Sequence, residues 1–361
     1  MIHGHGGNIY ALARQLNCNP ADIVDMSSNI NPLGMPPGLR DDLGASLDLA
    51  GRLPEVDNRA VIESMARLLM ANPDHMLAGN GTTQFIYNAC PALNTKRVLI
   101  LGPTYADYAD ACRMYGIEAC YFLLNSVQRF ECDGDALERA VTGFDTVFIC
   151  NPNNPTAGLI PADHLHRLCQ RHPQTRFIID ESYMPFVPAQ HSFSMSRSGF
   201  GNVIVLWSAS KIFGLPGLRA GFLIAQEEVR GAFERFMQPW CVNSLAQAAV
   251  TYLGRNQAAT REFIQETQLY LQRERHLFQK RLAPCRLLRL YPSVTSYILM
   301  ELPPSMRADS VCDALARRRL LIRNCNNFHG LSNRFVRVAL KTEEINAMAA
   351  DLLAAVVAEN A

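Results

Sequence analysis

Five short apolar runs punctuate the middle of the chain: "RVLILGP", "DTVFICNP", "RFIIDESY", "NVIVLWSAS" and "AGFLIA". Each has a core of four to six residues rich in Val, Ile, Leu and Phe, with no polar alternation. A strand with one wet face alternates apolar and polar side chains, so an unbroken run is what burial on both faces produces. Between the runs lie amphipathic segments such as Tyr105–Tyr115 and Asp163–Arg171, which read as helices. Strand–helix alternation from about residue 75 to 225 predicts a mostly parallel central sheet covered by helices on both sides, an α/β fold.

The 361 residues exceed the roughly 250–300 at which one core stops growing, so a second unit is expected. Residues 226–283 carry almost only helical patterning. Then "SYILMEL", "LLIRNC" and "FVRVAL" read as strands around the helix "ADSVCDALARRR", and "EEINAMAADLLAAVVAEN" closes the chain. This predicts a smaller α+β domain. The expected division is 36–255 for the large domain, and 1–35 with 256–361 for the small one. The Gly-, Asn- and Pro-rich N-terminal segment is too irregular to stand alone and is expected to pack against the small domain.

Charged residues make up 19% of the chain and the net charge is +1, which offers no electrostatic case for nucleic acid or an anionic membrane. No apolar run approaches the length of a membrane span. The eleven cysteines are scattered without a C-x-x-C pair, the pattern of reduced thiols, and the opening "MIHGHGGNIYALARQL" has no signal-peptide pattern. A cytoplasmic protein is expected. "HGH" and "HLH" lack a third ligand at suitable spacing, so no metal site is expected.

The polar residues that follow the runs matter most, because ligands of open α/β sheets bind at the carboxyl ends of strands. Asp180 closes "RFIID", and a carboxylate there needs a partner, whether a helix cap, a salt bridge or a ligand. Tyr183 of "DESY" suits core or site equally. "CNPNNPTAG" fixes an irregular turn after a strand. "AGNGTTQFIYNA" is a Gly/Thr turn entering a helix with Phe85, Ile86, Ala89 and Leu93 on its apolar face; Pro91 predicts a kink or an early end. Free amides and hydroxyls at such a helix start suit a phosphate, although the pattern is neither G-x-G-x-x-G nor a P-loop. Lys211 follows "VIVLWSAS", where desolvation lowers an amine's pKa and frees it as a nucleophile, as a Schiff-base lysine requires. Ser208, Ser210 and Arg219, with the Gly81–Thr82–Thr83 turn, supply a phosphate cradle. Asp180 suits a pyridinium nitrogen, Asn154 and Tyr183 a phenolic oxygen, and Tyr105 a ring face. Each piece is weak alone. Together they fit pyridoxal 5'-phosphate (PLP).

The order "GNGTT", "PTYADY", "NPNNPT", "DESY", "SASK", with Arg219 eight residues past the lysine, resembles the fold-type I PLP enzymes. The branch is that of histidinol-phosphate aminotransferase, and the resemblance covers nearly the whole chain. "HGGN", "SSNINPLG", "QPWCVNSLA", "LLIRNCNNFHGL" and "NRFVRVAL" are similar to segments of the threonine-phosphate decarboxylases of cobalamin biosynthesis. The resemblance implies an aspartate aminotransferase-like PLP-dependent transferase fold and a homodimer. It implies Lys211 as the Schiff-base lysine and Asp180 and Tyr183 as its catalytic partners. His5, Gly6, Asn29, Asn154, Arg323 and Arg337 match the positions that contact a small phosphorylated amino-acid substrate. Arginine forks on adjacent strands suit a phosphate and a carboxylate.

Three departures from the family pattern are expected to touch the site. Leu53 replaces a tyrosine expected to reach the neighbouring subunit's cofactor phosphate, Ala157 extends the common N-P-T-G turn, and Cys241 replaces a serine. The implied activity is that of a PLP-dependent carboxy-lyase, converting L-threonine O-3-phosphate to (R)-1-amino-2-propanol O-2-phosphate for the cobalamin nucleotide loop. The competing readings are an aminotransferase on histidinol phosphate or a similar phosphorylated amino acid, a decarboxylase of L-serine O-phosphate, and a PLP-fold binding or regulatory module without turnover. One methyl group separates threonine phosphate from serine phosphate, a contact that discriminates only about 10–200-fold.

Overall fold

The structure is a computed structural model and describes residues 6–359; His5 lies outside the described residues. The chain opens with the helix Ile9–Leu16, capped by the Asn8 side chain on the Ala11 amide, and the short strand β1 (Val24–Asp25). A seven-stranded sheet follows, built from β2 (Met76–Asn80), β3 (Val98–Gly102), β4 (Ala119–Leu123), β5 (Thr146–Cys150), β6 (Arg176–Asp180), β7 (Val203–Ser208) and β8 (Ala220–Ala225). Their order across the sheet is β2-β8-β7-β6-β5-β3-β4. Only β8 runs against its neighbours, β2 and β7.

All five apolar runs are strands of this sheet, and every residue of β3, β5, β7 and β8 is buried. Alternate residues feed two cores. Val98, Ile100, Phe148, Ile178, Ile204 and Leu206 meet the helices Gly81–Leu93, Asp107–Met114 and Glu227–Glu234. Leu99, Val147, Ile149, Phe177, Ile179 and Val205 face the other way, toward a core that includes the helices Arg59–Leu69, Ala162–Arg171 and Ser244–Arg255. Each large side chain taken fully from water contributes about 1.5–3 kcal/mol before entropy is counted, which is why runs of this composition settle in the centre. The helix Gly81–Leu93 runs through Pro91 and ends two residues later, capped by left-handed Asn94.

Beyond the helix Gln257–Leu282, the strands β9 (Arg289–Leu290), β10 (Tyr297–Glu301), β11 (Leu320–Leu321), β12 (Arg323–Asn324) and β13 (Phe335–Ala339) alternate with the helices Ala308–Ala316 and Glu343–Glu359. An antiparallel sheet of order β12-β13-β10-β9 results, while β11 pairs in parallel with β1. The N-terminal segment is more ordered than its Gly and Asn content suggests. Leu12, Ala13 and Ile23 pack on Ala316 and Leu321. No helix among the described residues is long and apolar enough to cross a membrane.

Candidate active site

Two adjoining cavities open where the central strands end, and Tyr105, Asn154, Tyr183 and Lys211 line both. Asp180, the last residue of β6, is buried beside the inner one. Its carboxylate accepts the Tyr108 hydroxyl at 2.9 Å and the Ser182 amide at 3.0 Å. Burial pushes the Asp180 carboxyl up, while those hydrogen bonds and the Lys211 charge act against it. Lys211 sits in the short helix Ala209–Ile212 directly after β7, which the Ser208 hydroxyl caps. Desolvation, then the charges of Arg219 and Arg337, bring its amine down to about 8, against the pull of Asp180. This lysine is a base or a proton donor near neutral pH, as its place at the end of an apolar strand predicts.

The inner cavity, about 120 Å³, has the other features of an anion cradle. The helix Gly81–Leu93 begins at its wall, so the amides of Gly81, Thr82 and Thr83 lack intrahelical acceptors. Arg219 takes a left-handed φ of 59°, a conformation costing about 1–3 kcal/mol in a non-glycine residue. Its guanidinium then reaches Thr83 Oγ1 at 3.4 Å and covers Gly81, where a Cβ would lie 2.5 Å from Nη2. Ser208 and Ser210 complete the wall, and the buried Ser210 Oγ has no hydrogen-bond partner.

The outer cavity, about 200 Å³, is lined by Gly6, Ser27, Ser28 and Asn29 on one side and by Arg323, Asn327, Phe328 and Arg337 on the other. Arg323 and Arg337 are direct cross-strand partners on β12 and β13. Like charges placed opposite each other destabilise a sheet, so this pair needs something to offset it. Arg337 is buried, donates Nη1 to Asn154 Oδ1 and Nη2 to the Ser27 carbonyl at 2.7 Å, and lies over the Tyr297 ring. Its Nε is buried without a partner. Arg323 lies over Phe328 and donates to Asn327 Oδ1 at 2.7 Å; burial pulls its guanidinium down. No aspartate or glutamate lines this cavity among the described residues. Asn29 donates to the Tyr183 hydroxyl at 3.1 Å, which fixes that phenol between the two cavities.

The structure thus brings together all the site residues expected from sequence that lie within 6–359. It adds Tyr108, stacked on Phe148 at 5.1 Å, and Ser182, both on Asp180, together with Asn327 and Phe328 around Arg323. The run "PTYADY" held the signal for Tyr108, which follows Tyr105 by three residues in the first turn of the helix Asp107–Met114. The three departures do not line the cavities. Leu53 is 76% exposed. Cys241 lies behind the cradle, its thiol 3.7 Å from the Ala78 carbonyl. Ala157 is buried with φ 58° and accepts the Val294 amide, so it shapes the turn behind Asn154 and does not reach its face.

Residues 21–353 match the model of the family described as aminotransferase class I and II. The chain belongs to this family. A threonine-phosphate decarboxylase from Salmonella typhimurium is 32% identical over 347 residues, covering 95% of this chain and 93% of that one. The crystal structure of an L-threonine-O-3-phosphate decarboxylase from Porphyromonas gingivalis aligns with a TM-score of 0.80 at 28% identity, over 92% and 98% of the two chains. That of a histidinol-phosphate aminotransferase from Clostridium acetobutylicum aligns with a TM-score of 0.84 at 26% identity, over 92% and 99%. The fold is the aspartate aminotransferase-like one that the sequence predicts, and the chain is a PLP-dependent enzyme. The inner cavity fits PLP on its own chemistry: an orphaned serine hydroxyl, a helix start and an arginine for a phosphate, a buried carboxylate, and an amine of lowered pKa.

Proposed function

We propose that this enzyme decarboxylates L-threonine O-3-phosphate to (R)-1-amino-2-propanol O-2-phosphate, the amine of the cobalamin nucleotide loop. The observation that carries this reading is the outer cavity: two cross-strand arginines beside a lysine, in walls where no described residue is an aspartate or glutamate. Such a cavity fits a substrate with two anionic groups. Histidinol phosphate brings one anion and an imidazole, and would occupy one arginine fork only. The decarboxylases among the relatives point the same way.

In this reading Ser208, Ser210, Arg219 and the Gly81–Thr83 turn hold the cofactor phosphate, and Tyr105 covers the ring. Asp180 holds a proton at the pyridine nitrogen, itself fixed by Tyr108 and Ser182. Asn154 and Tyr183 would offer hydrogen bonds to the phenolic oxygen. When bound, PLP supplies an electron sink for the bond broken at Cα. Lys211 would hold the cofactor through its amine, and an amine poised near 8 is suited to hold a proton and hand it to Cα. Arg323, Arg337 and Asn29, with Gly6 in the opposite wall, orient the substrate. Orientation at Cα decides between loss of CO2 and loss of a proton, and two forks on one ladder control orientation. The reading includes a homodimer, which would cover exposed Leu47, Leu53, Val56 and Trp240.

The test is a product analysis of the PLP-loaded protein with L-threonine O-3-phosphate and no keto acid. Aminopropanol phosphate is expected, with L-serine O-phosphate converted more slowly. Unchanged substrate, with nitrogen transfer from histidinol phosphate to 2-oxoglutarate, would replace this reading with the aminotransferase. Lys211→Ala is expected to abolish turnover and the visible absorbance of bound cofactor.

A further inference from the structure

Asp25 lines neither cavity, yet its carboxylate is the hub of the segment that walls the outer one. Oδ1 accepts the Ser27 amide at 2.8 Å, the Ser27 hydroxyl at 2.6 Å and the Ser28 amide at 3.3 Å, while Oδ2 accepts the Ser28 hydroxyl. Because Ser27 Oγ spends its proton on Asp25, its lone pairs face away, and it accepts the Gly7 amide at 2.7 Å. That bond ties down the strand of backbone carrying Gly6, a wall residue. The Ser27 carbonyl accepts from Arg337 Nη2, and the Ser28 carbonyl from Lys341 Nζ at 3.3 Å. Three residues further on, the Asn31 amide donates to the Lys211 carbonyl at 3.0 Å.

We infer that Asp25 is a positioning residue for substrate recognition: by fixing Ser27 and Ser28 it holds the wall, and through the Ser27 carbonyl it aims the Arg337 guanidinium at the substrate. The warrant is the direction of the hydrogen bonds. Asp25 is an acceptor only, so both serine hydroxyls and both amides must turn toward it. The Ser27 carbonyl, on the other side of the same peptide, is thereby presented to Arg337. Charge-assisted bonds of this kind are about twice as strong as neutral ones, so the turn is stiff. A neutral acceptor would leave the Arg337 fork with a looser rest and one rotamer among several.

The inference rests on the outer cavity being the substrate site, and its test separates the two. Holoenzymes of the wild type, Asp25→Asn and Asp25→Ala are titrated with L-threonine O-3-phosphate, following the cofactor absorbance band for Kd and product for kcat. Wild type that gives no spectral response to this substrate, but responds to histidinol phosphate, refutes the substrate and not Asp25; the comparison is then made with histidinol phosphate. Asp25→Ala is expected to raise Kd and KM about tenfold or more, the loss of charged hydrogen bonds, with kcat and cofactor absorbance little changed. Asp25→Asn keeps one acceptor oxygen and is expected to fall between. Should the alanine variant not fold, the asparagine variant decides. Unchanged Kd in the folded variants would overturn the inference, and so would parallel losses of cofactor binding and melting temperature with Kd unaltered, which mark a purely structural role.

Discussion

Glu181 adjoins the residue that faces the pyridine nitrogen in the proposed reading, and its own carboxyl is fully buried. It accepts the Met195 amide at 2.6 Å and the Ser194 hydroxyl at 2.5 Å, but burial outweighs these bonds and raises it from 4.5 to about 7. The folded state therefore holds this proton more tightly than the unfolded chain. That contribution to stability is present in full below about pH 4.5 and is lost as pH rises through about 7, a span worth roughly 3 kcal/mol. Glu181→Gln keeps an acceptor for Met195 and a partner for Ser194 without the charge. Melting curves from pH 4 to 8 are expected to show a flatter profile in the variant and a higher Tm than wild type at pH 8; equal slopes would refute the assignment. At the outer cavity, Arg337→Lys keeps a charge but loses the fork that spans Asn154 and Ser27. Steady-state kinetics are expected to show KM raised about tenfold or more, a loss typical of charged hydrogen bonds.

At the level of elements, the cradle depends on how closely β8 passes the start of the helix Gly81–Leu93. The Gly81 amide donates to the Arg219 carbonyl at 3.0 Å, and a Cβ on Gly221 would lie 2.3 Å from the Thr82 amide nitrogen. Gly221→Ala must push strand and helix apart, at a cost of about 1–3 kcal/mol, and misplace the amides offered to the cofactor phosphate. PLP affinity measured by equilibrium dialysis is expected to fall about tenfold or more, since each 1.4 kcal/mol lost is tenfold. Gly217→Ala, in open space in the turn that precedes β8, is expected to leave it unchanged. The central strands were legible because both their faces are buried, so composition alone marks them. The edge strands were not: β4 mixes half-buried and exposed residues with no fully buried one, and β2 ends in the Gly-Asn pair of the turn. The helix Ile9–Leu16 hid among glycines and asparagines, of which Asn8 and Asn17 are its two caps. Motifs at strand ends could be read off one by one, whereas the Asp25 hub could not. It joins Ser27 to Arg337 across 310 positions of sequence, and no local pattern carries that.

For the whole molecule, Leu53, Val56 and Trp240 are exposed apolar side chains, and the segments that carry them meet at the surface where the Ser244 hydroxyl donates to the Arg52 carbonyl. A homodimer closing over this surface is expected in sedimentation equilibrium at twice the chain mass. Leu53→Tyr, which restores the hydroxyl that the family pattern places there, is expected to slow PLP loss on dialysis. An unchanged loss rate would show that residue 53 does not reach a cofactor phosphate. In the proposed reading the cavity's two arginines commit the substrate to loss of its carboxylate and not of its nitrogen. The most direct measurement offers both outcomes in one tube: holoenzyme, carboxyl-labelled L-threonine O-3-phosphate and an excess of 2-oxoglutarate. Release of labelled CO2 in step with aminopropanol phosphate, without glutamate, is the expected result; glutamate forming with the label still in the organic acid would contradict it.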